Sequence, residues 1–192
     1  LLGDHQLENA ATAVGLLESL IEQGWPISGE AMSRGFADVK WPCRMEVLQK
    51  EPLVVVDGAH NPYSIRRLCQ ALRSYFEFKR LVIVFGCSKD KNMEGMVNEL
   101  GHLKPLVIVT RSRHPRSVST AILAQTFQSK MMEVRRVNEI NDAMKMAQSL
   151  VKAGDMILVT GSLFVAAEVR EGILGIKPER YSEFDVDQRT QL

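Results

Sequence analysis

The chain has 192 residues, 45% of them hydrophobic and 24% charged, with 24 Lys and Arg against 23 Asp and Glu for a formal net charge of +1. That length suits one domain, long enough to bury a core without disulfides or metals. The near-neutral balance argues against nucleic-acid binding driven by net charge, and no apolar run approaches the roughly 20 residues of a membrane-spanning helix. The opening Leu1-Leu2-Gly3-Asp4-His5 lacks the basic and apolar regions of a signal peptide, and without an initiator Met the sequence reads as a fragment. Cys43, Cys69 and Cys87 are odd in number and form no C-x-x-C pair. The four histidines show no ligand-like spacing with them. The cysteines therefore read as free thiols in a reducing, cytoplasmic setting, with no metal site on this chain.

Apolar spacing predicts a helical lead-in followed by alternating strands and helices. Leu7, Ala10, Ala11, Val14 and Leu17 repeat at helical spacing, Leu20 and Ile21 extend the stripe, and Gly24 stops it. Ser28 caps a second helix through about residue 36. Ala31 cannot complete a capping box there, but Glu30 favours the first turn. Trp41-Pro42 breaks the pattern. A hairpin follows, with 45–48 and 53–56 as strands and 49–52 as the turn. Residues 64–76 return to helical spacing through Ile65, Leu68, Cys69, Leu72 and Phe76.

One theme then repeats. Strands at 81–85, 106–109, 133–137 and 156–159 precede helices carrying Met93, Met96 and Leu100; residues 118–128; Ile140, Ala143, Met144 and Val151; and Leu163, Ala166 and Ala167. The methionines at this spacing read as core. Apolar strands alternating with amphipathic helices predict an α/β fold with a mainly parallel sheet, one antiparallel strand and helices on both faces. The expected division is a lead-in and linker over 1–40, an α/β domain over 41–176 and a polar tail over 177–192.

In such a sheet, ligands gather beyond the carboxyl ends of the strands. Those ends read Asp57-Gly58-Ala59-His60-Asn61-Pro62, Gly86-Cys87-Ser88-Lys89-Asp90-Lys91, Thr110-Arg111-Ser112-Arg113-His114-Pro115 and Thr160-Gly161-Ser162. In the first, Asn61 and Pro62 suit a helix N-cap and first turn, and Gly58 the bend. Asp57 and His60 remain. A carboxylate after a buried strand can accept from two ribose hydroxyls, and an imidazole three residues on can meet phosphate. The other reading has Asp57 capping local amides and His60 merely exposed, and the loop alone leaves both open.

Ser162 suits a helix cap, and a helix N-terminus with a hydroxyl also suits a carboxylate or phosphate. Lys89 and Lys91 can neutralise an anionic substrate or simply be solvated. The basic stretch 111–116 lacks an aromatic for base stacking and reads as a solvated loop. No G-x-x-x-x-G-K-[ST] and no G-x-G-x-x-G after a strand occurs anywhere.

Leu1-Leu2-Gly3-Asp4-His5-Gln6-Leu7-Glu8-Asn9-Ala10-Ala11, Trp41-Pro42-Cys43-Arg44-Met45-Glu46, Asp57-Gly58-Ala59-His60-Asn61-Pro62, Asp90-Lys91 and Thr160-Gly161-Ser162-Leu163-Phe164 follow one another in this order. The set resembles the C-terminal part of folylpolyglutamate synthase/dihydrofolate synthase, in the Mur ligase superfamily, over nearly the whole chain. The resemblance implies a Rossmann-like C-terminal domain of an ATP-dependent ligase of folate biosynthesis and one-carbon metabolism. In that family ATP phosphorylates a carboxylate of the folate or pteroate substrate, and the amine of L-glutamate displaces the phosphate. The resemblance places the P-loop and the Mg2+ ligands in an N-terminal ATPase domain outside this chain, so the chain alone is expected to be inactive.

Carried over by residue, the resemblance implies that Asn9 contacts adenine, Arg44 the ATP phosphates and Asp57 the ribose. It implies that His60 lies near the phosphates and the reaction centre, and that Lys91 and Ser162 serve the glutamate end. Two positions depart from the pattern: Cys43 stands where a small residue, often Gly, is usual, and Asn92 where many relatives carry a second acid. Folate or dihydropteroate and L-glutamate are the expected partners, with no nucleic acid, no membrane and a monomeric state. The alternatives are another Mur-type amino-acid ligase, a stand-alone nucleotide- or anion-binding module, and, more distantly, a nucleic-acid reader built on 111–116.

Overall fold

In the computed structural model, which describes residues 1–178, the chain runs α1 (Asp4–Glu22), α2 (Gly29–Asp38), β1 (Glu46–Lys50), β2 (Leu53–Val56), α3 (Pro62–Tyr75), β3 (Leu81–Phe85), α4 (Met93–Gly101), β4 (Leu106–Val109), α5 (Thr120–Gln128), β5 (Glu133–Arg136), α6 (Ile140–Leu150), β6 (Met156–Thr160) and α7 (Leu163–Leu174). The tail expected over 177–192 lies, from 179 onward, outside the described residues.

The six strands form one sheet in the order β1-β2-β6-β3-β4-β5. Only β1 is antiparallel to its neighbour, and every other pairing is parallel. The central strands β3 and β6 are buried at every residue. Their side chains alternate between the two faces, as the two-residue repeat of a strand requires. Leu81, Ile83, Phe85, Met156 and Leu158 meet a core built with α3, α4 and α5. Val82, Val84, Ile157 and Val159 meet a second core built with α6 and α7. Each fully buried aliphatic side chain contributes about 2 kcal/mol of apolar transfer. Met96 and Met144 are buried in these cores.

The helix starts follow from capping chemistry. Ser28 Oγ accepts from the Ala31 amide at 3.1 Å. Asn61 and Ser64 form a reciprocal capping box with Pro62 in the first turn of α3. The helix expected from 118 begins at Thr120, because Val118 is buried and its N–H donates to the Cys87 carbonyl at 2.9 Å. The chain stays extended until Ser119 can cap.

The lead-in is different in character. Its helical stripe is present, but Leu7 and Leu16 are 73% and 66% exposed, and α2 has no buried residue. No core among the described residues covers these side chains. Polar contacts tie α1 to α3 instead: Arg67 pairs with Glu8 at 2.6 Å, and the Tyr75 hydroxyl reaches Asp4 at 3.1 Å. No helix of the described residues is long and apolar enough to cross a membrane.

Candidate functional site

The carboxyl end of β2 runs into the turn that builds the site. Asp57, buried at 7% exposure, uses both carboxylate oxygens on main chain. Oδ1 accepts from the Ala59 amide at 2.8 Å, and Oδ2 from the Met45 amide at 2.9 Å. One side chain thus fixes its own turn and the loop that leads into β1. The capping role is therefore real, and it accounts for both oxygens.

The loop held by Asp57 is Trp41-Pro42-Cys43-Arg44-Met45. Both neighbours of Arg44 adopt left-handed backbone, Cys43 at φ 57° and Met45 at φ 43°. For a residue with a Cβ this costs roughly 1–2 kcal/mol each. The position of Cys43 is therefore one that glycine would fill without strain. Three hydrogen bonds offset the cost: Cys43 N–H to Glu46 Oε2 at 2.8 Å, Gly58 N–H to the Cys43 carbonyl at 2.8 Å, and the Met45 bond to Asp57. The arginine between them is held by its backbone. Its guanidinium carbon lies 5.8 Å from the centroid of the Trp41 ring, and it pairs with no carboxylate among the described residues. A cation over an indole face gains about 0.5–1 kcal/mol and keeps its donors available.

His60 is exposed, and its Nδ1 lies 2.8 Å from the Gly58 carbonyl. A carbonyl only accepts, so Nδ1 carries the hydrogen in the neutral ring. Nε2 is left as the outward acceptor. Asn9, on α1, donates from Nδ2 to the Gln6 side chain at 3.0 Å.

Asn9, Arg44, Asp57 and His60 line a single cleft of about 470 Å³, between α1, the 41–45 loop and the start of α3. Sequence reasoning missed three further lining residues. Tyr63 and Trp41 bring exposed rings, and Arg67 brings the guanidinium that pairs with Glu8. Trp41 stood in a motif without a role, and no sequence pattern singled out Tyr63 or Arg67. Larger hollows, of about 680 and 690 Å³, lie at the amino ends of the strands. They are open, and the convergent loops of a parallel sheet lie at the other edge.

Lys91 and Ser162 are not among the residues lining this cleft. Lys91 Nζ pairs with Asp90 at 3.0 Å, and that bond to lysine is the main reason the Asp90 carboxyl sits below its usual range. Ser162 is buried and caps α7, its Oγ accepting from the Phe164 amide at 3.2 Å. The next residue, Leu163, lines the cleft. Asn92 caps α4 by accepting from the Gly95 amide at 2.9 Å, which gives the amide at that position a structural use.

The 111–116 stretch corrects the expectation of a solvated loop. Ser112 and His114 are buried. Arg113 reaches Glu171 at 2.6 Å and Glu168 at 3.6 Å, and its amide donates to Glu168 at 2.8 Å. Burial pushes the Glu168 carboxyl up, and Arg113 opposes that shift. The His114 ring stacks on Phe164 with centroids 4.0 Å apart, and burial, then Arg116, lowers its basicity. Arg113 docks this loop onto α7, while Arg111 and Arg116 stay exposed as expected. All three cysteines are free and buried, and burial is the main cause that raises Cys43 to about 11 and Cys69 and Cys87 to about 12. They are unreactive thiols at neutral pH. Among the described residues no three of His, Cys, Asp and Glu gather as a metal-binding group. The described residues thus offer no ready-made carboxylate cage for Mg2+.

Residues 43–163 match the family described as Mur ligase, glutamate ligase domain. The chain belongs to the Mur ligase family. Its domain is similar to the Mycobacterium tuberculosis folylpolyglutamate synthase structure complexed with ADP and AMPPCP, at a TM-score of 0.83 and 32% identity, over 93% of this chain and 42% of that one. The dihydrofolate synthase/folylpolyglutamate synthase of Bacillus subtilis is 28% identical over 89% of this chain and 40% of its own length. A UDP-N-acetylmuramoyl-L-alanyl-D-glutamate–2,6-diaminopimelate ligase of Prochlorococcus marinus is 29% identical over 84% of this chain and 33% of its own length. The Mur ligase domain described here thus spans about two fifths of the folylpolyglutamate synthases it matches.

Proposed function

We propose that this Mur ligase domain is the C-terminal part of an ATP-dependent ligase that adds L-glutamate to a folate or dihydropteroate. The observation that carries the reading is the shared cleft of Asn9, Arg44, Asp57 and His60 at the carboxyl edge of the sheet. The nucleotides in the M. tuberculosis relative support it. In this reading Asn9 turns its amide to the adenine, Asp57 meets a ribose hydroxyl, and Arg44 offers its guanidinium to the phosphates. His60, with Nε2 outward, sits near the transferred phosphate. Lys91 and Ser162 serve the glutamate end from the neighbouring loops.

Phosphorylation turns a poor carboxylate electrophile into an acyl phosphate that the glutamate amine can attack. The phosphate cradle and the Mg2+ ligands belong to an upstream ATPase domain. The 1–40 lead-in, with Leu7 and Leu16 exposed, joins that domain to the 41–176 ligase domain. A monomeric, cytoplasmic enzyme without nucleic-acid or membrane partners completes the proposal.

The diaminopimelate ligase relative favours a second reading, a Mur-type ligase acting on a cell-wall precursor. Acceptor profiling separates the two. Full-length ligase given MgATP, a reduced folate and L-glutamate should release phosphate only when all three are present, and its folate product should carry one more glutamate. The chain alone should release none. Turnover confined to diaminopimelate and a UDP-muramoyl acceptor would establish the second reading, and robust turnover by the chain alone would sink the first.

A further inference from the structure

Arg44 is held by its backbone, so whatever holds that backbone reaches the site without touching it. Its neighbour Cys43 donates its amide to Glu46 Oε2 at 2.8 Å. The same carboxylate is gripped from the other side by Arg170, whose Nε lies 3.0 Å from both oxygens. Arg170 is on α7, 124 residues further along the chain. Its side chain and that of Glu46 are only 27% and 24% exposed, so water and salt screen this pair less than a surface ion pair. The start of the same helix supplies Leu163 to the cleft. The pair therefore ties two walls of the cleft together behind the arginine.

Glu46 must present one oxygen to an amide in a left-handed turn, at φ 57° in a residue that is not glycine. A glutamate side chain free to rotate would spend much of its time elsewhere, and the turn would relax toward ordinary backbone. Arg170 removes that freedom. It also pairs with no other group in the structure than Glu46 among the described residues.

We propose that Arg170 is a positioning residue for the nucleotide end of the cleft, acting through Glu46 and the Cys43 amide to set the place of Arg44. The proposal rests on the nucleotide reading of that cleft. It makes a statement about coupling: without the Arg44 guanidinium, Arg170 has nothing left to position.

A double-mutant cycle on the full-length ligase tests it, with ADP affinity measured by calorimetric titration. R170A is expected to weaken ADP binding about tenfold, an ordinary coupling for residues in one hydrogen-bonded network. In the R44A background the same change should cost less than about twofold. R170K, which keeps the charge but loses the planar fork, should recover part of the affinity, and it enters the same cycle if R170A does not fold. A tie that only stabilises the fold would lower the thermal midpoint and leave ADP affinity unchanged, or would add its full loss to that of R44A. Either result overturns the proposal. If R44A itself leaves ADP affinity unchanged, the nucleotide reading falls and takes this proposal with it.

Discussion

Replacing Asp57 by alanine is expected to cost about 3 kcal/mol of folding stability, well beyond an ordinary surface change. The loss comes from two buried amides, those of Ala59 and Met45, which lose their only carboxylate acceptor. Each orphaned buried donor costs about 1–3 kcal/mol, and partial relaxation of the loop reduces the sum. Met45 adds a second consequence, because its left-handed backbone at φ 43° is held by that bond. Asp57→Asn keeps one acceptor oxygen and should fall between alanine and wild type. Denaturant unfolding with an unchanged m-value reads the effect. A loss under about 1 kcal/mol would show that the carboxylate is not the brace of this turn. ADP affinity of the folded D57A ligase should fall as well, because Asp57 lines the cleft and braces the loop that carries Arg44.

Gly161→Ala should destabilise the domain by a similar amount, about 3 kcal/mol, from strain and overpacking together. Gly161 has φ +97°, where a side chain is strained whatever the space. A Cβ there would lie 2.4 Å from Phe85 Cε2 and 2.6 Å from the Gly86 carbonyl. Neither neighbour can yield cheaply. Phe85 is fully buried with its ring edge-on to Phe127 at 5.0 Å, and the other contact is main chain. The Gly161 amide also donates to the Ala59 carbonyl at 3.0 Å, which links the end of β6 to the Asp57 turn. A shift at Gly161 is therefore felt in the cleft. Stability within about 1 kcal/mol of wild type would contradict this account of the β6 turn.

These two positions show where sequence and structure part company. The strand cores at 81–85 and 106–109 were legible because both faces of a parallel sheet are buried, which demands unbroken apolar runs. The caps at Ser28, Asn61 and Ser162 were legible because a polar residue one step before an apolar period has a specific backbone job. Of the four loops expected at the carboxyl edge, only the Asp57 turn lines the candidate cleft, with Leu163 following the 160–162 loop. The mutual bracing of the site was not legible. Asp57 meets an amide 12 residues upstream, and Arg170 meets a carboxylate 124 residues upstream. No local pattern carries such pairs.

The left-handed backbone at Cys43 and Met45 was equally hidden, since neither residue is the glycine or asparagine that usually marks it. The 111–116 loop looked solvated for the same reason. Its acidic partners Glu168 and Glu171 lie more than fifty residues away, on a helix whose facing side only the fold decides. The lead-in shows the converse, a well-formed apolar stripe that stays exposed among the described residues. Periodicity specifies a face and says nothing of what covers it.

We propose that the cleft at the carboxyl edge, and not the larger hollows at the other edge, receives the nucleotide. Hydrogen–deuterium exchange on the full-length ligase, with and without AMPPCP, tests it most directly. Exchange should slow in 41–46 and 57–64, with 101–106 and 130–133 unchanged. Protection confined to 101–106 and 130–133, with the Arg44 loop and the Asp57 turn unaffected, would contradict it.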